Sequence, residues 1–360
     1  MNTKNRLEHL RSILIEKKVG ALWISQPDNL FYLSGCEGLE GYLLITAEKA
    51  VIATDFRYIE QAQRQSPDFT IFQISGKMAD WLPQLMSGEH VQTLGFESNH
   101  LAFATYQQWA QTLKNTNLQI TPVETSGLID SLRMVKDAVE IVNITQAVQI
   151  TDKVFAYIEE VLRPGMTERA LAWEIEKYLR QNGSQPVPFE LIVAAGPNSA
   201  LPHARPSDYS IHTGEPIVID IGAKVNHYAS DLTRTLFIGR PDDTFKKVYQ
   251  TVLEAQEAAI SGIRSGMTGI EADSLARGVI SRKGYGDAFG HSLGHGIGLV
   301  THEKPTVGPG STDVLNEGMV FTVEPGIYLS GWGGVRIEDD VIIENGKSRV
   351  ISHAPKLNYA

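Results

Sequence analysis

The chain has 360 residues, of which 42% are hydrophobic and 21% charged, a composition ordinary for a soluble fold and a length that suits two domains. Its formal net charge of −10 argues against a general binder of nucleic acid or of anionic membranes, since both need basic surface. The single cysteine, Cys36, excludes an intrachain disulfide and fits a reducing, cytoplasmic compartment.

The opening MNTKNRLEHLRSILIEKK predicts an amphipathic helix with Leu7, Leu10, Ile13 and Leu14 on one face. It lacks the apolar core of a signal peptide, and Glu8 and Glu16 are unlike a transit peptide. No run approaches the ~18 apolar residues of a membrane span. GALWIS then reads as a buried strand, GYLLIT and KAVIAT as a hairpin, and FRYIEQAQRQ as a helix. TIFQIS, ADWLPQLM, TLGFES, ATYQQWAQTL and LQITPV continue the alternation, so residues 1–130 are expected to form an α/β domain on a mixed sheet. It carries no phosphate-binding glycine loop, which points to packing, substrate access or oligomerisation.

A long helical stretch from Ala138 to Leu162 leads into a second domain, 131–360, that echoes itself. LRPGMTERALAWEIEKYLR resembles IRSGMTGIEADSLARGVIS at an offset of 101 residues, with Thr167 and Thr268 placed as helix N-caps. IVIDIG resembles FTVEPG at an offset of 104, which sets Asp220 against Glu324. Asp231 and Glu338 correspond at an offset of 107. A duplicated α+β unit would bring two similar hairpins together about a pseudo-twofold axis, each contributing two acids to one central site.

Those acids raise a solvation problem. Ile217, Val218, Ile219 and Ile221 read as a strand buried on both faces, with Asp220 among them. Strand alternation sets Asp231, Thr233 and Thr235 on one face of YASDLTRTLFI, and Arg336, Glu338 and Asp340 on one face of GGVRIEDDVII. Burying an unpaired carboxylate costs several kcal/mol. The segment DAFGHSLGHGIGLVTHEKPT adds His291, His295 and His302 among Gly290, Gly294, Gly296 and Gly298, a backbone suited to close approach to a ligand. His203, in ALPHARPSD, is unremarkable alone. Two divalent cations would neutralise the four carboxylates, and oxygen-rich ligation with one imidazole suits Mn2+, Co2+ or Fe2+. The reaction class that follows is metal-assisted hydrolysis.

With these residues identified, the second domain resembles the pita-bread metallopeptidases, which include methionine aminopeptidase, aminopeptidase P and prolidase. IVIDIG, SDLTRT, GHGIGL, TVEPG and RIEDD stand in that family's order and spacing. The resemblance implies metal ligands Asp220, Asp231, His295, Glu324 and Glu338, with two divalent ions, Mn2+ first and Co2+, Fe2+ or Zn2+ as alternatives. Glu324 would also handle a catalytic proton. His203 and His302 would act on the reacting carbonyl, and His291 and Arg336 would face the substrate. The first domain resembles the amino-terminal domain of aminopeptidase P, prolidase and creatinase, with TDFRYIEQA typical of it. This disfavours methionine aminopeptidase, and the intact ligand set disfavours both a creatinase-like hydrolase and an inert binding protein.

What the resemblance implies is a cytoplasmic, homodimeric peptidase whose peptide partners carry proline at the second position. Several prolidases place an arginine where THEKPTV has Thr306. That departure points to an aminopeptidase P-type Xaa-Pro aminopeptidase, with Xaa-Pro dipeptidase (prolidase) as the alternative.

Overall fold

The computed structural model describes residues 3–88, 91–116 and 119–357. The first two residues of the expected opening helix, the Leu118 start of LQITPV and the last three residues lie outside them. The chain divides into Met1–Arg133 and Met134–Ala360.

In the first unit the predicted helix–strand alternation builds one six-stranded mixed sheet. Across it run Thr70–Gln73, Ala50–Thr54, Gly41–Thr46, Ala21–Ile24, Thr93–Glu97 and Thr121–Thr125. The middle hairpin is antiparallel, and both outer pairings are parallel. Ala21–Ile24 lies mid-sheet and is wholly buried, which explains its unbroken apolar run. Trp23 stacks on Trp81 with ring centroids 6.0 Å apart and leans on Trp109 at 6.3 Å. These rings centre an apolar layer completed by the helices Met78–Met86 and Phe103–Asn115.

In the second unit the sequence echo is a structural duplication. The helix Ala138–Val161 is closed by Arg163, whose guanidinium donates to Leu162 O and Glu160 O. The helix Asp243–Gly262 is closed by Arg264, which donates to Ile263 O and Ser261 O. Gly165 and Gly266 follow with φ of 87° and 90°, a region that favours glycine. Thr167 and Thr268 then cap the helices Glu168–Gln181 and Gly269–Arg282, accepting from Ala170 N at 3.1 Å and Glu271 N at 3.4 Å. Each helix buries residues spaced by four: Leu171, Ile175 and Leu179 in one, Ala272, Ala276 and Ile280 in the other. Each half packs this stripe into its own apolar core.

The strands beneath differ in extent. The first half has a three-stranded antiparallel sheet ordered Leu232–Phe237, Pro216–Ile221, Ile192–Ala195. The second half has five strands ordered Glu303–Val307, Gly294–Gly296, Val320–Val323, Asp339–Glu344, Lys347–Val350. The halves meet where Leu232–Phe237 runs beside residues 336–338. There Arg336 N donates to Thr235 Oγ1 at 3.0 Å and Glu338 N to Thr233 O at 3.1 Å.

Two expectations need correction. GGVRIEDDVII is not one strand: Gly333–Arg336 pairs with Gly326–Leu329, and Asp339–Glu344 pairs with Val320–Val323. The Glu338 amide is drawn across to Thr233, and the chain changes sheets at that point. The glycines around His295 serve close approach to protein backbone. A Cβ at Gly294 would lie 1.9 Å from Thr322 O, and one at Gly296 2.1 Å from Lys304 O. Both distances are impossible contacts, so only glycine lets this short strand fit between its neighbours. Among the described residues no helix is long and apolar enough to cross a membrane.

Candidate active site

Strand ends from both halves surround a cavity of about 470 Å³, room for a small ligand but not for a folded chain. His203, Asp220, Asp231, His291, His295, His302, Glu324, Arg336 and Glu338 all line it. The hairpin pairing sets Asp220 opposite Thr233, two residues on from Asp231. Asp231, His295 and Glu338 each bring a ligand atom within 4.8 Å of the others. Glu324 joins through His295, with Oε1 3.3 Å from Nε2, and Asp231 Oδ2 lies 3.7 Å from the same nitrogen. Asp220 also lines the cavity, its Oδ2 2.7 Å from Arg336 Nη2.

The electrostatics are those of crowded acids. Burial, then the charges of Glu338 and Asp220, raises Asp231 well above the ordinary carboxylate range. Burial, then Glu324 and Asp220, does the same to Glu338. Burial also raises Glu324, but the hydrogen bond and charge of His295 outweigh it and hold the group at about 2. Asp220 Oδ1 and Asp231 Oδ1 are buried with no hydrogen-bond partner, a condition costly for a carboxylate. Four acids and one imidazole, two of the acids with unpartnered buried oxygens, fit a divalent cation centre by their donor chemistry. Such ions would offset the burial of these carboxylates, as expected from the sequence.

Around this group the side chains are held from behind. Thr233 Oγ1 donates to Glu338 Oε2 at 2.6 Å, and Thr322 Oγ1 donates to Glu324 Oε1 at 3.1 Å. Arg234 is buried and pairs with Asp339 at 2.8 Å while also donating to the Glu338 carbonyl. Burial works against the Asp339 charge, but Arg234 and Lys356 outweigh it and keep its pKa low. This buried network fixes the backbone that carries Glu338. His302 packs on His295 with ring centroids 4.2 Å apart.

His291 and Arg336 were expected to face substrate, yet their polar atoms turn to the protein. Arg336 donates from Nη2 to Asp220, from Nε to Thr233 Oγ1 at 3.1 Å, and from Nη1 to Pro202 O at 3.2 Å and Tyr328 Oη at 2.9 Å. Because Tyr328 Oη accepts from Arg336, its own proton goes to His291 Nε2, 2.9 Å away. His291 Nδ1–H then donates to Ser292 O at 2.8 Å. Tyr328 thus links the two residues, and burial raises its hydroxyl to about 12, so it stays protonated.

Sequence reasoning did not single out Tyr328 or Arg234. Tyr328 lies four residues past Glu324, on the same alternation across Pro325, and that was the available signal. Asp340 was placed on the acidic face but without a role. Its Oδ2 accepts from Asp231 N at 3.1 Å, and burial pushes its carboxyl up to about 8.

Duplicated α+β halves with carboxylates and an imidazole converging on one cavity define a metallohydrolase architecture. Residues 142–345 match the model of metallopeptidase family M24, and residues 6–135 match the creatinase/prolidase N-terminal domain. The chain belongs to family M24. It is 39% identical over 350 residues to the Xaa-Pro dipeptidase of Pyrococcus furiosus, covering 96% of this chain and 97% of that one. Among solved structures, the Xaa-Pro dipeptidase from Bacillus anthracis superposes with a TM-score of 0.94 at 40% identity, covering 99% of both chains. The X-Pro aminopeptidase from Thermotoga maritima MSB8 superposes with a TM-score of 0.87 at 36% identity, covering 94% of this chain and 97% of that one.

Proposed function

We propose that this metallopeptidase is an Xaa-Pro dipeptidase of prolidase type, cleaving the bond before a C-terminal proline. The observation that carries this reading is end-to-end similarity, at 39% and 40% identity, to chains named Xaa-Pro dipeptidases. Thr306 favoured the aminopeptidase P reading, and likeness to the Thermotoga X-Pro aminopeptidase supports that second reading. Thr306 is one position on one wall of the cavity, and a substrate carboxylate can be met from another wall.

In this reading Asp220, Asp231, His295, Glu324 and Glu338 would hold two divalent ions, Mn2+ first among them. When bound, these ions would supply an activated water near neutral pH and polarise the scissile carbonyl. Glu324, steadied by the Thr322 hydroxyl, would take the proton of that water and pass it to the departing nitrogen. An Xaa-Pro bond is a tertiary amide with no N–H, so the site needs no group to recognise that donor. It does need a proton for the secondary amine that leaves. His302 and His203 would donate to the carbonyl oxygen as charge builds there. His291, Tyr328 and Arg336 would hold Asp220 and the cavity wall in place. We also infer a homodimer located in the cytoplasm, the first checked by light scattering and the second by fractionation.

Protein loaded with Mn2+ and supplied with Xaa-Pro and Xaa-Pro-Yaa peptides tests the choice. Release of free proline from the dipeptide supports it. Cleavage of the tripeptide alone makes the enzyme an aminopeptidase, and no release from either overturns both readings.

A further inference from the structure

A cation is the strongest partner for the free carboxylate of a dipeptide, and Thr306 carries no charge. Among the described residues, two arginines line the cavity, Arg205 and Arg336. Arg336 is 3% exposed and already donates to Asp220, Thr233, Tyr328 and Pro202. Turning it toward substrate would leave the Asp220 carboxylate buried beside other acids without its partner.

Arg205 is placed differently. It stands two residues after His203 on the same loop, with its side chain 81% exposed. Its Nε lies 3.1 Å from Glu190 Oε2, and Glu190 is itself 61% exposed and lines the cavity. An ion pair so open to water contributes little and is readily exchanged. A guanidinium presents a planar fork that matches a carboxylate at two points. Phe189, Ile192 and Pro202 supply apolar wall nearby for a pyrrolidine ring.

We propose that Arg205 is the specificity-determining cation of this enzyme: it leaves Glu190 and pairs with the free carboxylate of the C-terminal proline. The inference rests on the dipeptidase reading above and names the group that would select dipeptides. Glu190 is then a competitor that holds the guanidinium at the cavity mouth until substrate arrives.

Steady-state kinetics on Mn2+-loaded wild type, R205A, R205K, E190Q and the R205A/E190Q double variant test this, with Ala-Pro as substrate and Ala-Pro amide as a competitor lacking the charge. Metal content by elemental analysis accompanies each variant and is expected to stay at the wild-type value. R205A is expected to raise KM for Ala-Pro by about ten- to a hundredfold, the range for a lost charge-assisted pair, with kcat changed much less. The competitive Ki of the amide is expected to move at least tenfold less than that KM. R205K recovers part of the loss. E190Q lowers KM for Ala-Pro, and this gain is absent in the R205A background.

A KM and an amide Ki that rise together in R205A, a KM that does not rise, or an E190Q gain that persists without Arg205 overturns the inference alone. Wild-type enzyme that leaves Ala-Pro and other Xaa-Pro dipeptides intact overturns the dipeptidase reading, and this inference with it.

Discussion

The two copies within Met134–Ala360 agree in their helices and diverge at their strand ends. Capping threonines, left-handed glycines and buried stripes recur at matching positions. At the cavity the first copy contributes Asp220 and Asp231 with His203, while the second contributes Glu324 and Glu338 with His291, His295 and His302. Asp220 is held by an arginine from the other copy, whereas Glu324 is held by its own copy's His295 and Thr322. Duplication therefore supplied a frame that aims acids inward. The glycine-rich strand Gly294–Gly296, which stands where Ile192–Ala195 stands in the first copy, then made the two ends of the site chemically unequal.

Breaking what the copies share should do the most damage. Asp231→Ala or Glu338→Ala removes one of the paired acids at the seam and should abolish metal binding and turnover together. Elemental analysis beside a proline-release assay reads both, and full metal retention in either variant would contradict a ligand role for that acid. Removing an imidazole that the second copy supplies is the next test. His302→Ala should keep its metal and lose about 10²–10⁴ in kcat, the range for a lost proton-transfer or oxyanion group. Metal loss in that variant would mean His302 helps to hold the ions.

Cutting the tie between copies comes third. Arg336→Ala leaves Asp220 a buried charge without its cation and should cost about 3–5 kcal/mol of stability. Metal-free protein in a urea titration measures this, and an unchanged midpoint would show that the pair does not bind the halves. The smallest effects sharpen the likeness itself. Thr167→Ala and Thr268→Ala should each cost about 0.5–2 kcal/mol. Thr268→Ala should cost more, because the Thr268 hydroxyl also donates to Glu271 Oε2 at 2.7 Å in a reciprocal cap. Equal midpoints for the two variants would remove that distinction.

Much of the frame was legible because its signals are local. Arg-x-Gly-Met-Thr followed by apolar residues every four positions encodes a turn, a cap and a helix within a short stretch of chain. The apolar run around Asp220 marked a buried carboxylate for the same reason. Hydrogen-bond commitments were not legible. Arg336 stood on the predicted face, yet whether its donors meet substrate or protein depends on Thr233, Pro202 and Tyr328, the first two more than a hundred residues away. The break after Arg336 was hidden too, because an alternating pattern does not reveal that successive residues belong to different sheets.

By itself the sequence determined which residue types meet in the second unit: two hairpins with two acids each and a glycine-rich segment bearing imidazoles. Those features follow from periodicity and conformational freedom, properties each stretch carries wherever it lies. Only the tertiary structure decided which charged groups are engaged and which stay open, leaving Arg336 enclosed and Arg205 at the cavity mouth. The physical reason is that a guanidinium's role is set by the acceptors and the water around it, and these arrive from distant parts of the chain.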